Sequence, residues 1–162
     1  MSKNIRRELT VPCDTSHLSK LRVEVLGVLR ACAFSPVKAN LIALAVDEAV
    51  ANIIEHSYGD ELNSNSRPPD VIEVVLDVNP QRFEVLIRDH GRAFDPRDIP
   101  NVDIRRHAQV GRKGGLGIFL MRRIMDEINY SYKQGVHNEL QMIKYVDDAV
   151  LRAKNRGGSI NK

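Results

Sequence analysis

Residues 71–89 read VIEVVLDVNPQRFEVLIRD, and this stretch decides the fold. Over 71–78, Ile72, Val74, Leu76 and Val78 fall at every second position, the period of a strand with one buried face. Pro80-Gln81 marks a turn, and over 82–89 Phe83, Val85, Ile87 and Asp89 share one face of a second strand. Strands joined by so short a turn run antiparallel. The last member of the second stripe is a carboxylate, which is odd at the end of an apolar row.

Upstream, Ser35-Pro36 supplies an N-cap and a first helical residue, predicting a helix to about Ser57 that Gly59 ends. Before it, Leu18, Leu21, Val25, Val28 and Leu29 recur at helical spacing, predicting a helix from about His17 to Ala33 capped by Ser16. Residues 5–13 (IRRELTVPC) read as a short strand, with Pro12 at an edge or at its end. Residues 59–70 are a polar loop. Downstream, 90–114 mix glycines, prolines and basic residues without a sustained period, a long, mobile, basic loop. An apolar helix starts near Gly115 (LGIFLMRRIMDEI), and strands at about 129–134 and 138–146 flank a Gly135 turn. The order β-α-α-β-β-loop-α-β-β predicts an α+β fold: a two-layer α/β sandwich, mostly antiparallel sheet with helices on one face. Residues 1–150 form one domain on this reading, and 151–162 a short disordered tail.

The composition bounds the function. With 162 residues, 43% hydrophobic and 28% charged, the chain is globular and needs no disulfide or metal staple. A net charge of +3, evenly mixed, does not by itself imply nucleic acid. Cys13 and Cys32 form no CxxC pair, so zinc and a disulfide framework are not expected. No apolar run approaches the ~20 residues of a membrane helix, and Met1–Arg7 leads into no apolar signal core, so the expected address is the cytoplasm.

Three islands can carry chemistry. In the first, Glu48-Ala49-Val50-Ala51-Asn52, the Glu48 and Asn52 side chains lie at i and i+4 on one helical face. Counting back gives Leu41, Leu44 and Ala45, so two polar groups interrupt an apolar stripe. Taken alone, Glu48 fits at least as well as a solvated residue at the stripe's margin. The second is Asp89-His90-Gly91-Arg92-Ala93-Phe94-Asp95-Pro96, where a strand-end acceptor could take an exocyclic amine; an ordinary Asx turn fits equally. The third, Gly111-Arg112-Lys113-Gly114-Gly115-Leu116-Gly117, runs into a helix start, whose free N–H groups suit an anion, or is a flexible hinge. It matches neither a P-loop nor a dinucleotide-binding fingerprint.

In this order, ExxxN on a helix, a strand ending in DxGxxFDP, a basic loop and GGLGIFLM opening a helix, the chain resembles the GHKL ATPase superfamily over residues 5–147. That superfamily holds the ATP-binding domains of gyrase, chaperones, mismatch-repair proteins and histidine kinases, with a Bergerat-type ATP-binding fold. Within it, the chain is similar to the small bacterial anti-sigma-factor serine-protein kinases. The resemblance implies ATP and Mg²⁺. It makes Glu48 the general base for a serine hydroxyl and Asn52 an oxygen ligand of Mg²⁺. Asp89 is then the acceptor for the adenine amino group, beside Gly91 and Phe94. Gly114, Gly115, Leu116 and Gly117 open the last helix toward the phosphates, and Arg112 and Lys113, with Arg105 and Arg106, line a lid. Ala93 stands where many superfamily members have a second glycine, as is common in the serine-kinase branch.

The resemblance implies an ATP-dependent serine-protein kinase that phosphorylates an anti-anti-sigma (STAS-type) partner and sequesters a sigma factor, with a homodimer in keeping with the family. The alternative is a non-catalytic ATP-binding switch of the same fold, against which Glu48 and Asn52 argue. A nucleic-acid-binding surface through Arg105, Arg106, Arg112, Lys113, Arg122 and Arg123 lacks stacking aromatics: there is no Trp, and Phe plus Tyr make 5%. His17, His56, His90, His107 and His137 are scattered, which argues against a phosphoacceptor histidine. Neither nucleic acid nor membrane is expected as a partner.

Overall fold

The computed structural model describes residues 4–58, 71–93, 95, 116–133 and 136–146. The elements are β1 (Ile5–Pro12), α1 (Leu18–Leu29), α2 (Pro36–Tyr58), β2 (Val71–Asn79), β3 (Arg82–Asp89), α3 (Leu116–Ile124), β4 (Glu127–Lys133) and β5 (His137–Tyr145). The expected order holds. The strands form one sheet in the order β1-β2-β3-β5-β4, and each of these pairings is antiparallel. β5 thus inserts between β3 and β4, placing residues from the end of the chain beside the strand that ends in Asp89.

Register fixes the inward face. Val74 opposes Ile87, Leu76 opposes Val85, and Val78 opposes Phe83. On the next strand Val85 opposes Met142 and Ile87 opposes Leu140. These side chains are buried and share one core with Val25 of α1, Ile42, Val46 and Val50 of α2, and Met121 of α3. Both stripes expected from alternation therefore face the helices. The outer face carries a polar ladder instead, with Arg6 3.6 Å from Asp77 and Arg88 2.9 Å from Glu139.

Two helix boundaries differ from the expectation. Ser16 does not cap α1. Asp14, in extended backbone, accepts the Ser16 N–H at 2.9 Å and opens a 3-10 turn over Thr15–His17, after which α1 runs from Leu18 only to Leu29. A carboxylate is a stronger acceptor than a hydroxyl, so the earlier residue takes the role. Likewise α3 ends at Ile124 and does not continue through MDEI. Asp126 is captured by β5: its N–H donates to Ile143 O, and its carboxylate accepts the Tyr145 N–H at 2.8 Å and meets Lys144 Nζ at 3.1 Å. Strand pairing wins over helical periodicity there. The N-terminus of α2 is as expected, Ser35 Oγ accepting the Lys38 N–H at 3.2 Å. The Gly59 stop, the 59–70 loop, the Gly135 turn and the 151–162 tail lie outside the described residues. Among the described residues no helix is long and apolar enough to cross a membrane.

Candidate functional site

The site begins where the apolar stripe of β3 ends. Phe83, Val85 and Ile87 are fully buried, and Asp89, next on the same face, is only 3% exposed. A buried carboxylate must be hydrogen-bonded or in use. Asp89 Oδ1 accepts the Gly91 N–H and the Asn138 Nδ2–H, both at 3.0 Å. Asn138 also donates to Gly91 O at 2.9 Å, so one amide clamps both the carboxylate and the turn after it. Both bonds fall on Oδ1, and Oδ2 keeps its lone pairs toward a cleft. Burial raises the proton affinity of Asp89, and the Asn138 and Gly91 hydrogen bonds work against it.

A narrow pocket of about 10 Å³ is lined by Ala49, Asn52 and Ile53 of α2, Met121 of α3, Tyr130 of β4 and Leu140 of β5, with Asp89 at its wall. Its walls are largely apolar, with the Asp89 carboxylate as a buried acceptor among them. Asn52 Nδ2 is buried and has no hydrogen-bond partner among the described residues, and neither has Asn138 Oδ1. Asn52 lines this pocket and Asn138 a separate one beside His90 and Gly91, so the two orphaned amide atoms mark unused polar capacity at two places.

One turn before Asn52 along α2, Glu48 is half-buried. A Cβ at Gly117 would fall onto Glu48 Oε2 and lie 3.0 Å from its Cδ, so the first turn of α3 closes on this carboxylate only because residue 117 is glycine. Burial raises the proton affinity of Glu48, the neighbouring Asp47 charge adds to it, and Arg22 opposes both. The stripe behind Glu48 is graded: Leu41 is exposed, Leu44 half-buried and Ala45 fully buried. The buried face of α2 is broad, including Ile42, Ala43, Val46, Val50 and Ile54, with Asp47 a carboxylate within it.

The structure thus brings Asn52 and Asp89 together on one cleft and Glu48 and Gly117 together beside it. Gly91 is tied to Asp89, and Leu116 is the first residue of α3. Phe94, Arg105, Arg106, Arg112, Lys113, Gly114 and Gly115 lie outside the described residues. Sequence reasoning missed Asn138 and Asp47. Each had a signal: Asn138 ends the inward Leu140–Met142 stripe as Asp89 ends its own, and Asp47 sits at a core position of α2.

The family of histidine kinase-like ATPase domains matches residues 11–144. The chain belongs to that family. Histidine kinase-like ATPase domains use ATP. Among relatives, a protein from Listeria monocytogenes serovar 1/2a named serine-protein kinase RsbW is 28% identical over 144 residues, spanning 86% of this chain and 87% of the relative. A Staphylococcus aureus protein of the same name is 27% identical over 149 residues, 90% of this chain and 89% of its own. A chain in the crystal structure of the SiaB–SiaC complex from Pseudomonas aeruginosa shares the fold, with a TM-score of 0.62 at 17% identity over 85% of this chain and 88% of that one.

Proposed function

We propose that this histidine kinase-like ATPase domain is an ATP-dependent serine-protein kinase and anti-sigma factor, which phosphorylates a serine of an anti-anti-sigma partner and sequesters a sigma factor. The observation that carries the reading is the pairing of a buried, clamped acceptor, Asp89, with a half-buried carboxylate, Glu48, on the two sides of Asn52. The names and coverage of the relatives support the same activity.

Asp89 Oδ2 accepts the adenine amino group, while Asn138 and Gly91 hold the carboxylate in one orientation. A guanine would present a carbonyl there, acceptor to acceptor, leaving buried groups mismatched. The phosphates run past Asn52 toward the start of α3, where the first-turn N–H groups around Gly117 have no intrahelical partners and favour anions. Gly91, Phe94, Arg112, Lys113, Gly114, Gly115, Leu116 and Gly117 complete the nucleotide contacts. Asn52 would offer Mg²⁺ its side-chain carbonyl oxygen, a hard donor, leaving Nδ2, the buried atom without a partner among the described residues, as a hydrogen-bond donor. When bound there, Mg²⁺ offsets the charge of the phosphate oxygens.

Glu48 takes the proton of the partner's serine hydroxyl as that oxygen bonds to the γ-phosphorus and the bond to the β–γ bridging oxygen breaks, releasing ADP. Its raised proton affinity moves it toward the range where a base works best near neutral pH. The reaction runs in the cytoplasm, with one domain over residues 1–150. The test is transfer of labelled γ-phosphate from ATP to a purified anti-anti-sigma protein. Labelled phosphoserine is expected; tight ATP binding with no labelled substrate would favour the non-catalytic switch.

A further inference from the structure

A second groove, separate from the pocket beside Asn52, lies at the sheet end where β3 and β4 finish and β5 begins. It holds about 220 Å³ and is lined by His90 and Gly91 after β3, Tyr132 and Lys133 of β4, and His137 and Asn138 of β5. That is below the roughly 300 Å³ at which drug-sized ligand sites begin, so it has room for a small molecule and not for a nucleotide. Asn138 is its only buried lining residue, at 3% exposure. The Asn138 amide donates Nδ2–H to Asp89 Oδ1 at 3.0 Å and to Gly91 O at 2.9 Å. Turned over, it would set its oxygen against two acceptors, so its orientation is fixed. Oδ1 is then left buried without a hydrogen-bond partner among the described residues. A buried acceptor that the fold leaves unmet calls for a donor from outside it.

The rim of the groove is cationic and aromatic. Lys133 is exposed, Tyr132 is 52% exposed, and the His90 and His137 rings meet edge to face with centroids 6.5 Å apart. His90 Nδ1 lies 2.8 Å from Val136 O, which ties the turn after β3 to the start of β5. The neighbouring carboxylate, Glu139, is engaged by Arg88 at 2.9 Å and lies 3.6 Å from His137 Nε2. We propose that this groove binds a small organic anion bearing a hydroxyl or N–H donor, with the donor on Asn138 Oδ1 and the charge toward Lys133, and that its occupancy tightens ATP binding. The link is a single amide. Its oxygen takes the ligand while its nitrogen holds Asp89 Oδ1, so a filled groove fixes in advance the carboxylate that the nucleotide meets. The coupling rests on the reading of Asp89 as the adenine acceptor; the groove itself does not. Coupling of binding is reciprocal, so ATP tightens the anion by the same factor.

Glycolate is the probe, a carboxylate with one hydroxyl donor; acetate carries the charge without the donor. Titrated into the full chain and followed by backbone amide chemical shifts, glycolate is expected to move Lys133, His137 and Asn138. Acetate is expected to bind there roughly 5- to 10-fold more weakly. Lys133→Gln is expected to weaken glycolate about 2- to 5-fold, as loss of an exposed charge does, and to leave ATP affinity unchanged when glycolate is absent. Saturating glycolate is expected to lower the ATP Kd about 5-fold by calorimetry, the lower end of typical couplings. An equal response to glycolate and acetate, or shifts scattered over other surface cations, overturns the groove, and water then serves Asn138 Oδ1. Groove binding with ATP affinity unmoved overturns the coupling. Glycolate held in the groove of a protein that binds no ATP supports the groove and strikes the nucleotide role of Asp89 instead.

Discussion

On the proposed function, Asp89 serves recognition at the expense of the fold. Burial raises its folded proton affinity above that of the unfolded chain. Its contribution to stability is therefore present below the ordinary carboxylate range and is lost as pH rises through the raised folded value. Asp89→Asn can keep the Oδ1 bonds to Gly91 and Asn138 while removing the buried charge. The variant is expected to melt higher than the wild type at pH 7, with the gain shrinking toward pH 4. The same change turns one acceptor into a donor facing the adenine amine, a mismatch of ~1–3 kcal/mol, so ATP affinity falls about 10- to 100-fold. Calorimetric titration and thermal melting on one sample check both signs. Gly117 is the complementary case. Gly117→Ala drives a Cβ onto Glu48 Oε2, so Glu48 must swing away. Phosphotransfer is expected to drop on the order of 10²-fold, the effect of a misplaced reacting group, while circular dichroism is unchanged.

At the scale of elements, α2 carries Glu48, the proposed base, and its start depends on a cap. Ser35→Ala removes the acceptor for the Lys38 N–H and is expected to cost about 1 kcal/mol in urea unfolding, with ATP affinity little changed because the cap is roughly five turns from Asn52. The elements most legible in the sequence were those whose period runs unbroken: β2 and β3 by alternation, α2 by its Ser35-Pro36 start. Where side chains compete for backbone groups, legibility failed. Asp14 took the cap expected of Ser16, and Asp126, bonded to β5, ended α3 four residues before the apolar pattern does. Neither contest can be settled by periodicity, because the winner depends on which partner the tertiary fold brings within reach.

At the scale of the whole molecule, the sheet order assembles the site. Placing β5 between β3 and β4 sets Asn138 directly opposite Asp89 across 49 residues of chain. Glu48, Asn52, Asp89 and Gly117 were legible as motif residues. Asn138 and Asp47 were not singled out, because their meaning lies in what they face: a strand register in one case and a helix crossing in the other. The central claim is that these distant pieces make one phosphotransfer centre with Glu48 as its base. Single-turnover transfer of labelled γ-phosphate from saturating Mg-ATP to the anti-anti-sigma partner, by wild type and by Glu48→Gln, tests it most directly. The account predicts a fall of about 10²- to 10⁴-fold in rate with ATP affinity held within a few-fold. A Glu48→Gln protein that transfers phosphate at the wild-type rate would contradict it.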